Sequence, residues 1–173
     1  MYKFTLISVL SFLVFYVNPP APVATQALKV IAIADGDTFT VLQGKKPIRV
    51  RIDAIDAPEK GMPYYKVSKK YLSTLCFGKM VILKSSKRDQ YGRTVARVQL
   101  PNGKDVSTEM IKAGLAWHYQ AYSSDKRLSA YEQLARKNKL GLWKDADPMA
   151  PWTVRKLHRQ GISTKGRFKN RVE

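Results

Sequence analysis

Arg51, Asp56 and Glu59 lie close together in the stretch Pro47-Ile48-Arg49-Val50-Arg51-Ile52-Asp53-Ala54-Ile55-Asp56-Ala57-Pro58-Glu59. A hard cation needs oxygen ligands, an attacking water needs a base, and phosphate oxygens are matched by a guanidinium. The set suits metal-assisted attack on a phosphodiester. Two further stretches carry compatible groups: Asp35-Gly36-Asp37-Thr38 upstream and Asp89-Gln90-Tyr91-Gly92-Arg93 downstream.

The central stretch begins as a strand. Ile48, Val50 and Ile52 alternate with Arg49, Arg51 and Asp53, the period of a half-buried strand with its arginines on the polar face. The alternation breaks at Ala54-Ile55, where a bulge or bend is expected. Pro58 then forces Ala57 into an extended conformation. Around it the sequence predicts strands over 27–34, 38–42, 80–84 and 93–100. Asp35-Gly36 reads as a tight turn, and Gly44 opens another. A helix is expected over 66–77, with Val67, Tyr71 and Leu75 on the core face, Leu72 and Cys76 beside them, and Gly78 as the stop. A second helix spans about 107–113, capped by Asp105 or Ser107. A third spans about 125–139, with Leu128, Tyr131 and Ala135 inward. Leu142, Trp143 and Trp152 are expected to fold back onto the body. Five short antiparallel strands with three helices suit an oligonucleotide/oligosaccharide-binding (OB) barrel, although other α+β folds fit the same pattern.

The order D-G-D-T, R-x4-D-A-P-E, D-x-Y-G-R resembles the staphylococcal (micrococcal) nuclease or thermonuclease family over about residues 28–152. The resemblance implies an α+β fold, a five-stranded OB barrel with three α-helices. It matches Asp37 and Asp56 to calcium ligands, with a backbone carbonyl at Ala57, where threonine is common. Asp35 is then a turn residue or a support for the ligands. Glu59 matches the proposed general base, and Arg51 and Arg93 match the two catalytic arginines. Arg49 matches no catalytic position. Tyr91, Tyr119 and Tyr122 are matched to the substrate-binding tyrosines, the last two only loosely, and Trp117 belongs to the same aromatic group. Gln90 stands where the family often has lysine. Each motif has a plainer reading: D-G-D-T suits a hairpin turn, and a glutamate after proline suits a solvated loop. Their order and spacing together favour the site.

The whole chain agrees with a polyanionic partner. Its 173 residues, 45% hydrophobic and 25% charged, are ordinary for a globular domain, but 31 Lys and Arg against 13 Asp and Glu give +18. The single Cys76, flanked by Leu75 and Phe77, excludes an intrachain disulfide and reads as a buried thiol. His118 and His158 suggest neither a zinc site nor a triad. Lys3 and the apolar run Phe4–Val17 read as a secretory signal over residues 1–27, cleaved after Thr25-Gln26-Ala27 and leaving +17; an uncleaved anchor is the alternative. Residues 28–153 are expected to form the nuclease OB-fold domain that the resemblance implies. Residues 154–173 read as a mobile basic tail, with seven Lys or Arg from Arg155 onward. The expectation is a secreted or envelope-located monomeric, calcium-dependent endonuclease acting on DNA and RNA, leaving 3′-phosphate ends. It implies no protein partner, and a membrane association only if the signal is retained. The alternatives are a catalytically inactive OB-fold nucleic-acid-binding module and a binder of anionic envelope polymers.

Overall fold

The computed structural model describes residues 27–169 and 171. The expected secretory signal, up to Gln26, lies outside the described residues. β1 (Ala27–Ile33), β2 (Thr38–Gln43), β3 (Lys46–Ile52), β5 (Met80–Arg88) and β6 (Thr94–Gln99) close a barrel in the order β1-β2-β3-β6-β5. This is the expected five-stranded barrel in an α+β fold, with one difference. β3 and β6 run parallel, with Arg51 beside Val95. That pairing closes the barrel without a hairpin. Alternate residues Val30, Phe39, Val41, Val50, Ile52, Val81, Ala96 and Val98 point inward and are buried. Arg49 on β3 is exposed.

The break after β3 is a turn in which Ala54 takes φ 66, and β4 (Ile55–Asp56) follows at once. β4 pairs with β7 (Trp117–His118) in a separate two-stranded ribbon, Asp56 opposite Trp117. The Ser107 hydroxyl donates to the Asp53 carbonyl at 2.9 Å and holds the turn to α2 (Val106–Lys112). Asp105 caps that helix by accepting from the Thr108 amide.

α1 (Tyr65–Cys76) buries Ser68, Leu72 and Cys76, one position round from the expected face, and Val67 is exposed. The serine goes inside because its hydroxyl donates to the Leu115 carbonyl at 2.8 Å. A buried hydroxyl with a partner is no burden to the core. α3 (Lys126–Lys137) is capped by Asp125 and buries Leu128 and Ala135. Its buried Glu132 accepts the His118 backbone N–H, so α3 is tied to β7. Gly114 and Gly141 meet at a backbone crossing that leaves no room for a side chain on either, and the Leu142 amide donates to the Gly114 carbonyl. The short 3-10 turn Gly141–Lys144 thereby brings Leu142 and Trp143 into the core, as expected for both.

The reading of everything beyond residue 153 as a mobile tail needs correction. α4 (Pro151–Arg159) starts with proline at its first turn and buries Pro151 and Val154. α5 (Lys165–Phe168) follows. Arg167 pairs with Asp147, and Arg171 pairs with Asp145 at 3.2 Å, so these two cations have carboxylate partners on the body. Among the described residues no helix is long and apolar enough to cross a membrane.

Candidate active site

Asp37 is delivered by the β1–β2 turn. Asp35 Oδ1 accepts the Asp37 amide at 3.1 Å, and Thr38 Oγ1 donates to Asp37 Oδ1 at 3.0 Å. Gly36 is required here for space, not for a left-handed turn conformation. A methyl group on it would overlap the Ser68 hydroxyl and lie 2.8 Å from Ala57 Cβ. The turn is thus pressed between α1 and the Ala57 segment. The Ala57 amide donates to Asp37 Oδ2 at 2.8 Å, which locks the turn to β4.

Arg51 reaches from the end of β3 into this junction. Its Nη1 lies 3.0 Å from Asp37 Oδ2 and donates to the Ile55 carbonyl at 3.0 Å. Its Nη2 donates to Asp56 Oδ1 at 2.8 Å. The Arg51 side chain is only 13% exposed and that of Asp56 only 2%. The polar face of β3 is therefore covered at this end, not solvated. Burial pushes the Asp56 carboxyl up to about 6, and the Asp37 charge adds to it, against the pull of Arg155 and Arg51. Burial and the Asp37 charge likewise push Asp35 up to about 6. Carboxylate oxygens are the donor type a hard cation takes, and in this structure the Arg51 and Arg155 guanidiniums supply the positive charge beside Asp37 and Asp56.

Glu59 does not join Asp37 and Asp56 in a three-acid cluster. Among the described residues no group of three or more His, Cys, Asp or Glu side chains converges as a metal site. A cation would take two carboxylates, a carbonyl such as that of Ala57, and water. Glu59 is linked to Asp56 instead through Arg155 of α4. Arg155 Nη1 donates to Glu59 Oε1 at 2.5 Å and Nη2 to Asp56 Oδ2 at 2.7 Å. The sequence reading missed this residue. A signal was present: Ala150-Pro151-Trp152-Thr153-Val154-Arg155 places proline at a first helical turn, then Trp152 and Arg155 three apart on one face.

Arg93 sits at the mouth of the Asp89–Arg93 turn. Asp89 Oδ1 accepts the amides of Tyr91 and Arg93, both at 2.9 Å, and Asp89 Oδ2 accepts from Arg93 Nε at 2.7 Å. Burial alone would raise the Asp89 carboxyl, but the Arg93 hydrogen bonds outweigh it and hold it low. Gly92, at φ 74, makes the turn possible. Arg93 lies two residues before Val95, the neighbour of Arg51, so strand alternation puts both arginines on one side of the sheet. The ion pair the Arg93 side chain makes is with Asp89 of its own turn.

The aromatic residues separate into two groups. Tyr91 is 74% exposed, with the Arg93 guanidinium 5.4 Å above its ring. Tyr119 is stacked on Trp152 at 5.0 Å and 5°, so one face of its ring is covered. Tyr122 meets the Tyr119 ring edge-on and is itself 67% exposed. Trp117 is core, packed edge-on against Trp143 at 5.4 Å. The open stacking surfaces are Tyr91 and Tyr122.

Comparison with known proteins shows the family. The family model described as Staphylococcal nuclease homologue matches residues 49–145, more than half of the chain. An uncharacterized endonuclease of Escherichia coli O157:H7 is 41% identical over 127 residues, covering 73% of this chain and 83% of that protein. A micrococcal nuclease of Shigella flexneri is 35% identical, covering 78% of this chain and 83% of its own length. The staphylococcal-like nuclease CAN1 of Arabidopsis thaliana is 38% identical, covering 78% of this chain and 43% of that longer protein. With its closed barrel and its barrel-end acids and arginines, the chain belongs to the staphylococcal nuclease family and is a nuclease.

Proposed function

We propose that the chain is an exported, calcium-dependent endonuclease that hydrolyses DNA and RNA with little base preference and leaves 3′-phosphate ends. The supporting observation is the junction itself: Asp37 and Asp56 converge on one nearly buried guanidinium, with Arg155 placing Glu59 alongside. In this reading Asp37, Asp56 and the Ala57 carbonyl hold Ca²⁺. Calcium bound there would add positive charge and attract a phosphate oxygen to the two acids.

The chain's own groups do the remaining work. Glu59, 46% exposed at the rim, is open to water and takes its proton or orients it for attack. Arg51 Nη1 and Nη2 are held here by Asp37, the Ile55 carbonyl and Asp56. Once a cation takes those acids, Arg51 would turn to charge developing on the phosphate oxygens, and Arg93 would meet the departing oxygen. Tyr91 and Tyr122 offer stacking faces that accept any base, which suits low sequence preference. Export rests on the apolar Phe4–Val17 run.

The test is digestion of single-stranded DNA and RNA by purified protein with Ca²⁺, with Mg²⁺ and with a chelator, followed by analysis of product ends. Cleavage with calcium alone and products that need a 3′-phosphatase before extension support the reading. Equal cleavage with Mg²⁺, or 3′-hydroxyl ends, would refute its cation and product parts. Tight DNA binding without any cleavage would favour the inactive binding module.

A further inference from the structure

We infer that Arg155 is a positioning residue of the active site: it holds the Glu59 carboxylate beside Asp56 in the orientation the reaction uses. The inference rests on the reading of Glu59 as the base.

One planar guanidinium bridges both acids, Nη1 to Glu59 Oε1 at 2.5 Å and Nη2 to Asp56 Oδ2 at 2.7 Å. Such a fork fixes direction as well as distance, which an ammonium does not. Glu59 needs that constraint. It follows Pro58 in a loop, and its side chain is nearly half exposed. Among the described residues Arg155 is the cation that pairs with it. A long, solvated glutamate left to itself spreads over many rotamers. It would also be repelled by Asp56.

The backbone that carries Arg155 is fixed. Val154 beside it is buried, and Trp152 is stacked on Tyr119. The Tyr119 amide donates to the Ala54 carbonyl, so α4 rests on the same ribbon that presents Asp56. In the last turn of α4, His158 Nε2 meets the buried Thr164 hydroxyl at 3.0 Å. Arg155 is therefore presented by a separate element, α4, and it lies outside the stretch 49–145 matched by the family model. Arg51 and Arg155 together leave each Asp56 oxygen with a guanidinium donor. Arg155 alone reaches on to Glu59.

The experiment is a double-mutant cycle on the full chain with single-stranded DNA at saturating calcium: wild type, Arg155→Ala, Glu59→Gln and both together. Displacing a catalytic group by about 1 Å costs on the order of 10²-fold. We therefore expect Arg155→Ala to lower kcat by roughly 10- to 100-fold with KM within about threefold. In the Glu59→Gln background the same change should cost no more than about twofold, because there is no base left to position. Arg155→Gln, which keeps length and helix propensity, replaces the alanine variant if that one fails to fold. Arg155→Lys should recover activity only in part, since one ammonium cannot serve both acids in the fork geometry.

A kcat within about twofold of wild type overturns the inference. So does an equal loss in the Glu59→Gln background, which would mean that Arg155 acts independently of Glu59. Greater activity of Arg155→Ala at low calcium also overturns it, because Arg155 would then be a competitor for the cation. If Glu59→Gln itself is fully active, the base assignment falls and this inference with it. If Glu59→Gln is slow and Arg155→Ala is not, only this inference falls.

Discussion

Gly36→Ala separates two ways of reasoning about the Asp35–Thr38 turn. Gly36 does not adopt a left-handed conformation, so its backbone would accept alanine. On that ground alone the change should stabilise by about 0.4–1 kcal/mol, by restricting the unfolded chain. Its surroundings give the opposite sign. The new methyl would overlap the Ser68 hydroxyl and lie 2.8 Å from Ala57 Cβ and 3.0 Å from Ser68 Cβ, where ordinary contact begins at 3.4 Å. Turning the Ser68 hydroxyl away removes one clash but abandons the Leu115 carbonyl, a loss of about 1–3 kcal/mol for a buried acceptor. The two Cβ contacts remain and require either α1 or the Ala57 segment to move, at about 1–3 kcal/mol. The expected net is about 2–5 kcal/mol of destabilisation, a fall in Tm of roughly 5–15 °C for a domain of this size. The Ala57 segment carries the hydrogen bond to Asp37, so calcium-dependent kcat should fall by about 10-fold or more even in the folded variant. Thermal melts and steady-state kinetics on the same preparation are the assay. A variant with wild-type or higher Tm and unchanged kcat would refute the close-packing argument.

Arg51→Lys should lose about 10²–10³ in kcat, the usual cost of one preorganised donor. Because Arg51 is nearly buried between Asp37 and Asp56, Arg51→Ala should also destabilise by about 3–5 kcal/mol, seen as a lower denaturant midpoint. Cys76, whose thiol burial pushes up to about 12, should ignore a disulfide reagent at pH 8 while the protein is folded and react fully in denaturant; rapid reaction of the native protein would contradict its burial. Truncation after Thr153 removes Val154 and Arg155 as well as the basic end, so it should lower kcat and Tm together. A change confined to KM would show that the segment serves only to attract phosphate.

The barrel was legible because its strands alternate cleanly: Ile48, Val50 and Ile52 against Arg49 and Arg51 leave one possible face for the core. Asp37 and Asp56 could be placed together from motif order, and the Asp89–Arg93 turn from its glycine. Pairings that satisfy a polar group inside the fold were not legible. The burial of Ser68 has no local signal, because its partner, the Leu115 carbonyl, is 47 positions away. Gly36 looked like turn chemistry because the lack of space around it comes from α1 and Ala57. The parallel β3–β6 contact depends on barrel closure, which strand periodicity does not encode. Arg155 was hidden by composition. A segment rich in lysine and arginine reads as a solvated tail unless the Pro151 start and the Trp152–Arg155 spacing are weighed as a helix.

The central claim is that Asp37, Asp56, Arg51 and Glu59 form a working calcium-dependent phosphodiesterase centre. The most direct measurement is the cleavage rate of a labelled single-stranded DNA by folded wild type and by folded Glu59→Gln, each with millimolar calcium and with excess chelator. DNA affinity is measured in parallel. Wild type should cleave with calcium and stop on chelation. Glu59→Gln should bind the DNA about as well but cleave slower by about 10²–10⁴-fold, the range for a lost general base. Wild type that binds DNA and cuts none with calcium present, or a Glu59→Gln protein that cuts at the wild-type rate, would contradict it.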